Sequence, residues 1–86
     1  MDLEYVDLVT RKLAFEGAFV GLIEVYLGDH GTSYANSTLA LKYMRLGAAY
    51  GFPSAQRMLG IVLQLGLFSV PKNELLATML LSEAAA

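Results

Sequence analysis

The sequence repeats itself at a spacing of 37 residues, and this self-similarity limits the chain to a small set of folds. When the chain is displaced by that spacing, small and apolar residues fall on similar residues without any gap. The aligned pairs are Ala18 with Ala55, Leu22 with Leu59, Val25 with Val62, Ala40 with Ala77, Tyr43 with Leu80, Met44 with Leu81, Gly47 with Ala84, and Ala48 with Ala85. A helix pair that recurs about every 30–45 residues is typical of an α-solenoid, in which each unit buries its apolar face against its neighbours.

The stretch between residues 39 and 60 predicts a helix, a sharp turn and a second helix. Apolar and small residues recur at helical spacing from Ala40 to Gly51. Gly51 suits the left-handed residue that ends a helix, and Pro53 suits the first turn of the next one. We expect two helices packed closely on small side chains at this turn, namely Gly47, Ala48, Ala49, Gly51 and Ala55.

Hydrophobic periodicity predicts five helices in the chain. Their expected bounds are 2–14, 17–28, 37–50, 53–65 and 74–86.

Local signals also mark individual positions on these helices. Asn36 or Ser37 is expected to cap the third helix, and Asn73 the fifth, because a side-chain oxygen there can accept a hydrogen bond from a free backbone N–H. Gly17 and Gly21 are four residues apart, a spacing that indicates tight packing of a neighbouring helix. Phe52 and Phe68 stand in turns, where we expect both to act as local hydrophobic plugs.

A set of residues in the second half follows a known repeat pattern: Ala55, Leu59-Gly60, Gly66, Val70-Pro71-Lys72-Asn73, Ala77 and Ala84-Ala85. It resembles the Sel-one-like repeat, a family related to TPR repeats. The first half keeps part of the pattern, at Ala18, Leu22, Tyr26, Ala40, Tyr43, Ala48 and Gly51. It departs at Ile23, where glycine is usual, at Gly47, where alanine is usual, and in the loop at 30–36. The resemblance covers roughly residues 17–86 and implies right-handed stacking of helix pairs and a protein-binding role without catalysis.

The predicted fold is therefore all-α. We expect one domain, residues 1–86, built as an antiparallel helix-pair solenoid of the TPR and Sel-one-like kind. It comprises a flanking helix at 2–14 and two repeats at 17–50 and 53–86.

The composition argues against several classes of function. The net charge of −2 offers no basic patch for phosphates, so we expect no nucleic-acid partner. With no cysteine and one histidine, we expect no metal site and no cofactor. The longest uncharged run, residues 58–71, is shorter than the roughly 20 residues of a membrane span. No basic amino-terminal region of a signal peptide is visible. With the repeat pattern, we expect a bacterial and cytoplasmic protein.

No catalytic residues are predicted, because no nucleophile with a base, metal cluster or phosphate-binding loop is present. Asp29 and His30 stand beside Thr32 and Ser33, but we expect these four to be ordinary polar loop residues rather than a catalytic cluster. Tyr26, Tyr43 and Tyr50 recur at helical spacing and are expected in the core rather than in a ligand site.

The candidate binding surface lies on the first helix of each repeat, off its packing face. In the family that the chain resembles, this face lines the concave side of the solenoid. The residues are Val20, Glu24 and Leu27 in the first repeat and Arg57, Ile61 and Gln64 in the second. Together they would form a mixed apolar and charged groove suited to a helix or extended peptide of a protein partner. The alternatives are that this row is ordinary surface or is covered by another copy of the chain.

We therefore expect a non-enzymatic protein–protein interaction module or adaptor. One alternative is a small inhibitor, immunity protein or chaperone that masks one target protein. Another is a structural homo-oligomer formed by stacking of repeat ends, which the 56% hydrophobic content favours.

Overall fold

The chain folds into α-helices joined by short connections. The computed structural model describes residues 3–28 and 36–85, with side chains from residue 14 onward. Its helices are α1 (Leu3–Leu27), α2 (Ser37–Ala49), α3 (Pro53–Leu65) and α4 (Glu74–Ala85), and the described part contains no strand. The all-α prediction is confirmed, and the expected bounds of the last three helices agree within one residue.

The predicted boundary between helices 2–14 and 17–28 is wrong, because α1 runs without a break from Leu3 to Leu27. A comparison of positions 37 residues apart explains why α1 is not interrupted. The turn that ends α2 and begins α3 is Gly51-Phe52-Pro53, in which Gly51 has a left-handed φ of 81° and Pro53 is the first residue of α3. The corresponding positions in α1 are Ala14-Phe15-Glu16. Alanine and glutamate favour helix, so nothing local ends it there.

Helices that are neighbours along the chain pack against each other, α1 on α2, α2 on α3 and α3 on α4. The Cα atoms span 46 × 33 × 15 Å. Successive helices run antiparallel. Gln56 near the start of α3, for example, donates from Nε2 to Oε2 of Glu83 near the end of α4 at 3.3 Å. The inner helices α2 and α3 therefore pack against two neighbours each, and α1 and α4 mainly against one.

An aromatic cluster joins α1 to the turn between α2 and α3. The ring of Phe19 lies at its centre and makes edge-to-face contacts with four other rings. The centroid distances are 5.3 Å to Phe15, 5.8 Å to Tyr43, 5.9 Å to Tyr50 and 5.6 Å to Phe52. Such pairs contribute about 0.5–1.5 kcal/mol each beyond the area they bury. Phe52 is buried, as expected of a plug, whereas Tyr50 is exposed, which contradicts its expected core position.

The predicted close packing at the α2–α3 turn is confirmed at Gly47. A Cβ atom at this position would lie 2.6 Å from the Cβ of Ala55 and 3.3 Å from the Phe19 ring. By contrast, Cβ atoms at Gly17 and Gly21 would meet no described atom within 4 Å, so the close packing expected there is not observed. Gly47 is therefore one glycine at which two helices approach too closely for a side chain, and Gly60 is another, since a Cβ there would lie 2.9 Å from Cγ of Leu81 on α4.

The helix pairs α1–α2 and α3–α4 repeat the same hydrogen bonds at the 37-residue spacing. The backbone N–H of Asn36 donates to the carbonyl of Tyr26 at 2.7 Å, and that of Asn73 donates to the carbonyl of Leu63 at 3.0 Å. The side-chain oxygens of both asparagines accept from the backbone N–H three residues later, at 3.1 and 3.0 Å. The predicted caps are confirmed, with Asn36 rather than Ser37 at the start of α2.

The buried face of α1 differs from the one that the repeat predicts. Leu22 is 41% exposed and Ala18 is exposed, whereas Leu59, the counterpart of Leu22, is 8% exposed. Phe19 and Ile23 are buried instead, one position further along the helix. The expected burial of Ala18 and Leu22 is therefore wrong. The physical reason is that α3 lies between α2 and α4, whereas α1 packs mainly against α2.

We expect Gly47→Ala and Gly21→Ala to change stability in opposite directions. The new methyl at position 47 would overlap the Cβ of Ala55, which is fixed to its backbone. Such overpacking lowers the free energy of unfolding by about 1–3 kcal/mol. The better helix propensity of alanine offsets about 1 kcal/mol of that loss. At position 21 only the propensity gain of about 0.5–1 kcal/mol remains. Urea unfolding followed by circular dichroism measures both, and equal effects would contradict the close approach at Gly47.

Candidate functional site

The six residues predicted to form the groove lie on α1 and α3, the first helix of each repeat. In α1, the side chains of Val20, Glu24 and Leu27 are half-buried. In α3, the corresponding side chains are exposed: Arg57, Ile61 and Gln64.

The structure brings two of these residues, Leu27 and Ile61, to one apolar depression. It has a volume of about 170 Å³ and lies where the end of α1 meets α2, α3 and the connection from α3 to α4. Its lining consists of Leu27, Met44, Met58, Ile61, Val62, Leu67 and Phe68. Gln64 lines a different cavity of about 290 Å³ beside α4. Val20, Glu24 and Arg57 line neither of the two.

The lining of the depression is apolar, and its rim remains open to solvent. Ile61 is 43% exposed and Phe68 is 41% exposed, so both present apolar surface that a partner could cover. Met44 is fully buried beneath them, and Met58 is half-buried. Methionine side chains are flexible and polarisable, which allows such a surface to adapt to differently shaped apolar groups.

The connection from α3 to α4 supplies two lining residues that the sequence did not indicate as a surface, Leu67 and Phe68. Gly66 ends α3 in the left-handed conformation, with φ 68°. The backbone N–H of Leu67 then donates to the carbonyl of Val62 at 3.1 Å. Phe68 is exposed at the rim, so its expected role as a buried plug is wrong.

Phe68 and Ser69 both adopt positive φ, at 54° and 63°. For residues with a Cβ this conformation costs about 1–2 kcal/mol each. It persists only where the surrounding structure imposes it, and such strain concentrates at functional sites. Here the hydrogen bond from the N–H of Val70 to the carbonyl of Leu67 (3.0 Å) spans the strained pair. In this conformation the Phe68 ring lies at the edge of the depression.

A second apolar surface lies on the outer side of α4. Leu75 is 75% exposed, and Leu76 and Met79 are also exposed. At the 37-residue spacing, the counterparts of Leu75 and Met79 on α2 are Thr38 and Lys42, both polar and exposed. The corresponding sides of α2 and α4 therefore differ in polarity.

Residues 29–35 lie outside the part of the chain that the structure describes, and with them the expected loop residues Asp29, His30, Thr32 and Ser33. Among the residues that it does describe, no three His, Cys, Asp or Glu side chains are close enough together to hold a metal ion. None of the described helices combines the length and apolar character needed to traverse a bilayer.

The chain matches no protein-family model, no curated protein and no solved structure. The resemblance to the Sel-one-like repeat stays a prediction that rests on the residues quoted for it.

We expect Ser69→Gly to raise the free energy of unfolding by about 0.5–1 kcal/mol. Glycine relieves the left-handed strain, and its greater freedom in the unfolded chain offsets part of that gain. Ser82→Gly is the matched control, because Ser82 is exposed within α4. It should lower stability by about 0.5 kcal/mol through helix propensity. Urea midpoints compare the two variants, and a loss of stability in Ser69→Gly would contradict the strain assigned to this loop.

Proposed function

We propose that this chain is a non-enzymatic protein-interaction module built from about two helix-pair repeats of the Sel-one-like and TPR-like kind. Support for a repeat comes from the equivalent hydrogen bonds of Asn36 and Asn73 and from the residue pairs at the 37-residue spacing. A bacterial and cytoplasmic setting belongs to the same proposal. In this class of protein, surfaces on stacked helices bind segments of other proteins.

The observation that carries the proposal is the apolar depression between Leu27, Ile61 and Phe68. Its volume of about 170 Å³ suits one large apolar side chain rather than a whole small molecule. A helix or an extended peptide of a partner would place such an anchor into it. Arg57 is exposed on the same helix as Ile61 and would supply a polar contact at the border of the interface.

A selection from random peptides tests this function and does not require the natural partner. We expect a displayed library of such peptides to yield binders with one essential large apolar residue. Ile61→Asp should weaken them by tenfold or more, about 1.4 kcal/mol, because a carboxylate at the rim must lose water when the anchor enters.

Met79→Asp is the control, since Met79 is an exposed methionine on α4 outside the depression. Methyl NMR identifies the site at which the peptide binds. A bound peptide should shift the Met44 and Met58 methyl signals and leave that of Met79 unchanged. Peptides that bind wild type and Ile61→Asp equally would overturn the assignment of this site.

A further inference from the structure

The contact between α2 and α3 has two sides, and the sequences of α4 and α1 each match one of them. On the α3 side, Ala55, Leu59 and Val62 are buried. On the α2 side, Met44 and Gly47 are buried, and Gly47 lies against Ala55. These residues form the packing that joins one repeat to the next.

Helix α1 carries a copy of the α3 side of this contact. Ala18, Leu22 and Val25 are identical to Ala55, Leu59 and Val62 at the 37-residue spacing. Ala18 and Leu22 are nevertheless exposed, because none of the described helices takes the position against α1 that α2 takes against α3.

Helix α4 carries a copy of the α2 side. Leu81, Ala84 and Ala85 correspond to Met44, Gly47 and Ala48, and Thr78 corresponds to the buried Leu41. Thr78 and Ala85 are exposed, and Leu81 and Ala84 are only half-buried. The cavity of about 290 Å³ lies at this face, between Gln64, Thr78 and Leu81. The equivalent place in the first repeat is the depression at Ile61, and there α3 lines the cavity with Met58, Ile61 and Val62.

We propose that two copies of the chain associate head to tail, with the α4 face of one (Thr78, Leu81, Ala84 and Ala85) packed on the α1 face of the next (Ala18, Leu22 and Val25). The two faces are the halves of a contact that the chain already makes within itself. This surface is separate from the depression at Ile61, so the inference goes beyond the proposed function and does not depend on it.

Another segment of the same chain fits the α1 face less well. At the 37-residue spacing, residues 3–13 correspond to α2, and they place Asp7 and Arg11 at the positions of Met44 and Ala48. Two charges would then be buried against Ala18 and Leu22, which is costly without partners. Helix α4 offers Leu81 and Ala85 at those positions and is the better match.

The proposed contact should be weaker than its internal counterpart. Gly47 permits the close approach to Ala55, but α4 has Ala84 in its place, so the helices must lie further apart. The internal contact also benefits from the short turn that links α2 to α3. A head-to-tail contact leaves one face open at each end of the assembly, and the assembly therefore grows with concentration unless it closes into a ring.

The test uses three double variants of the whole chain, each of which adds two negative charges at described positions. Ala18→Glu/Leu22→Glu alters the α1 face, and Thr78→Glu/Ala85→Glu alters the α4 face. Leu75→Glu/Met79→Glu is the matched control on the outer side of α4. All six side chains are exposed, and circular dichroism checks that each variant keeps its helix content.

Sedimentation velocity and light scattering over a range of concentrations measure how many copies of the chain associate. We expect wild type and the control to grow beyond two copies, and each face variant alone to remain a monomer of about 9.3 kDa. An equimolar mixture of the two face variants should form a dimer that does not grow, since each retains the one face that the other lacks. Ile61→Asp, which tests the separate peptide site, should assemble as wild type does.

Other outcomes would overturn the proposal. A wild type that stays monomeric at all concentrations would exclude the contact. Loss of assembly in the α1 variant alone would indicate that residues 3–13 of a second copy cover this face. Loss in the control alone would assign the association to the apolar surface of Leu75 and Met79.

Discussion

The contact of Gly47 with Ala55 sets the distance between α2 and α3, and the packing of the other helices depends on it. Because Gly47 has no side chain, α2 and α3 approach until the methyl of Ala55 lies 2.6 Å from the place that a Cβ of residue 47 would take. The ring of Phe19 covers the same glycine from α1, so one residue of α2 contacts both neighbouring helices. The aromatic cluster around Phe19 then holds the start of α3 against α1. A larger residue at position 47 would separate three helices at once, which makes this contact more consequential than its small area suggests.

Much of the fold could be predicted from the sequence because its signals are local. Gly51, Pro53 and the two capping asparagines act on their own backbone neighbourhood, and the bounds of α2, α3 and α4 follow from them. The break expected near residue 15 failed for the same reason. Hydrophobic periodicity suggested two separate helices there, but Ala14-Phe15-Glu16 contains neither glycine nor proline to produce a turn. A repeat in the buried residues therefore does not guarantee a repeat in the turns.

The candidate site was only partly accessible to sequence reasoning. Leu27 and Ile61 follow from helical periodicity, and the structure brings both to the depression. Phe68 does not follow, because its place at the rim depends on two consecutive positive φ angles that no local pattern in Phe68-Ser69 demands. The exposure of Leu22 was also beyond the pattern. Periodicity identifies a face that can be buried, whereas the number of neighbouring helices decides whether it is buried.

The packing of the helices along the chain leaves two kinds of surface. α2 and α3 each pack between two neighbours, whereas α1 and α4 pack mainly against one. The depression at Ile61 opens where three helices and a loop meet, whereas the faces of α1 and α4 lie at the edges. Extension at the edges would add further helices without covering that depression. A peptide at the depression and a second copy at α1 or α4, as proposed above, would therefore occupy separate parts of the chain.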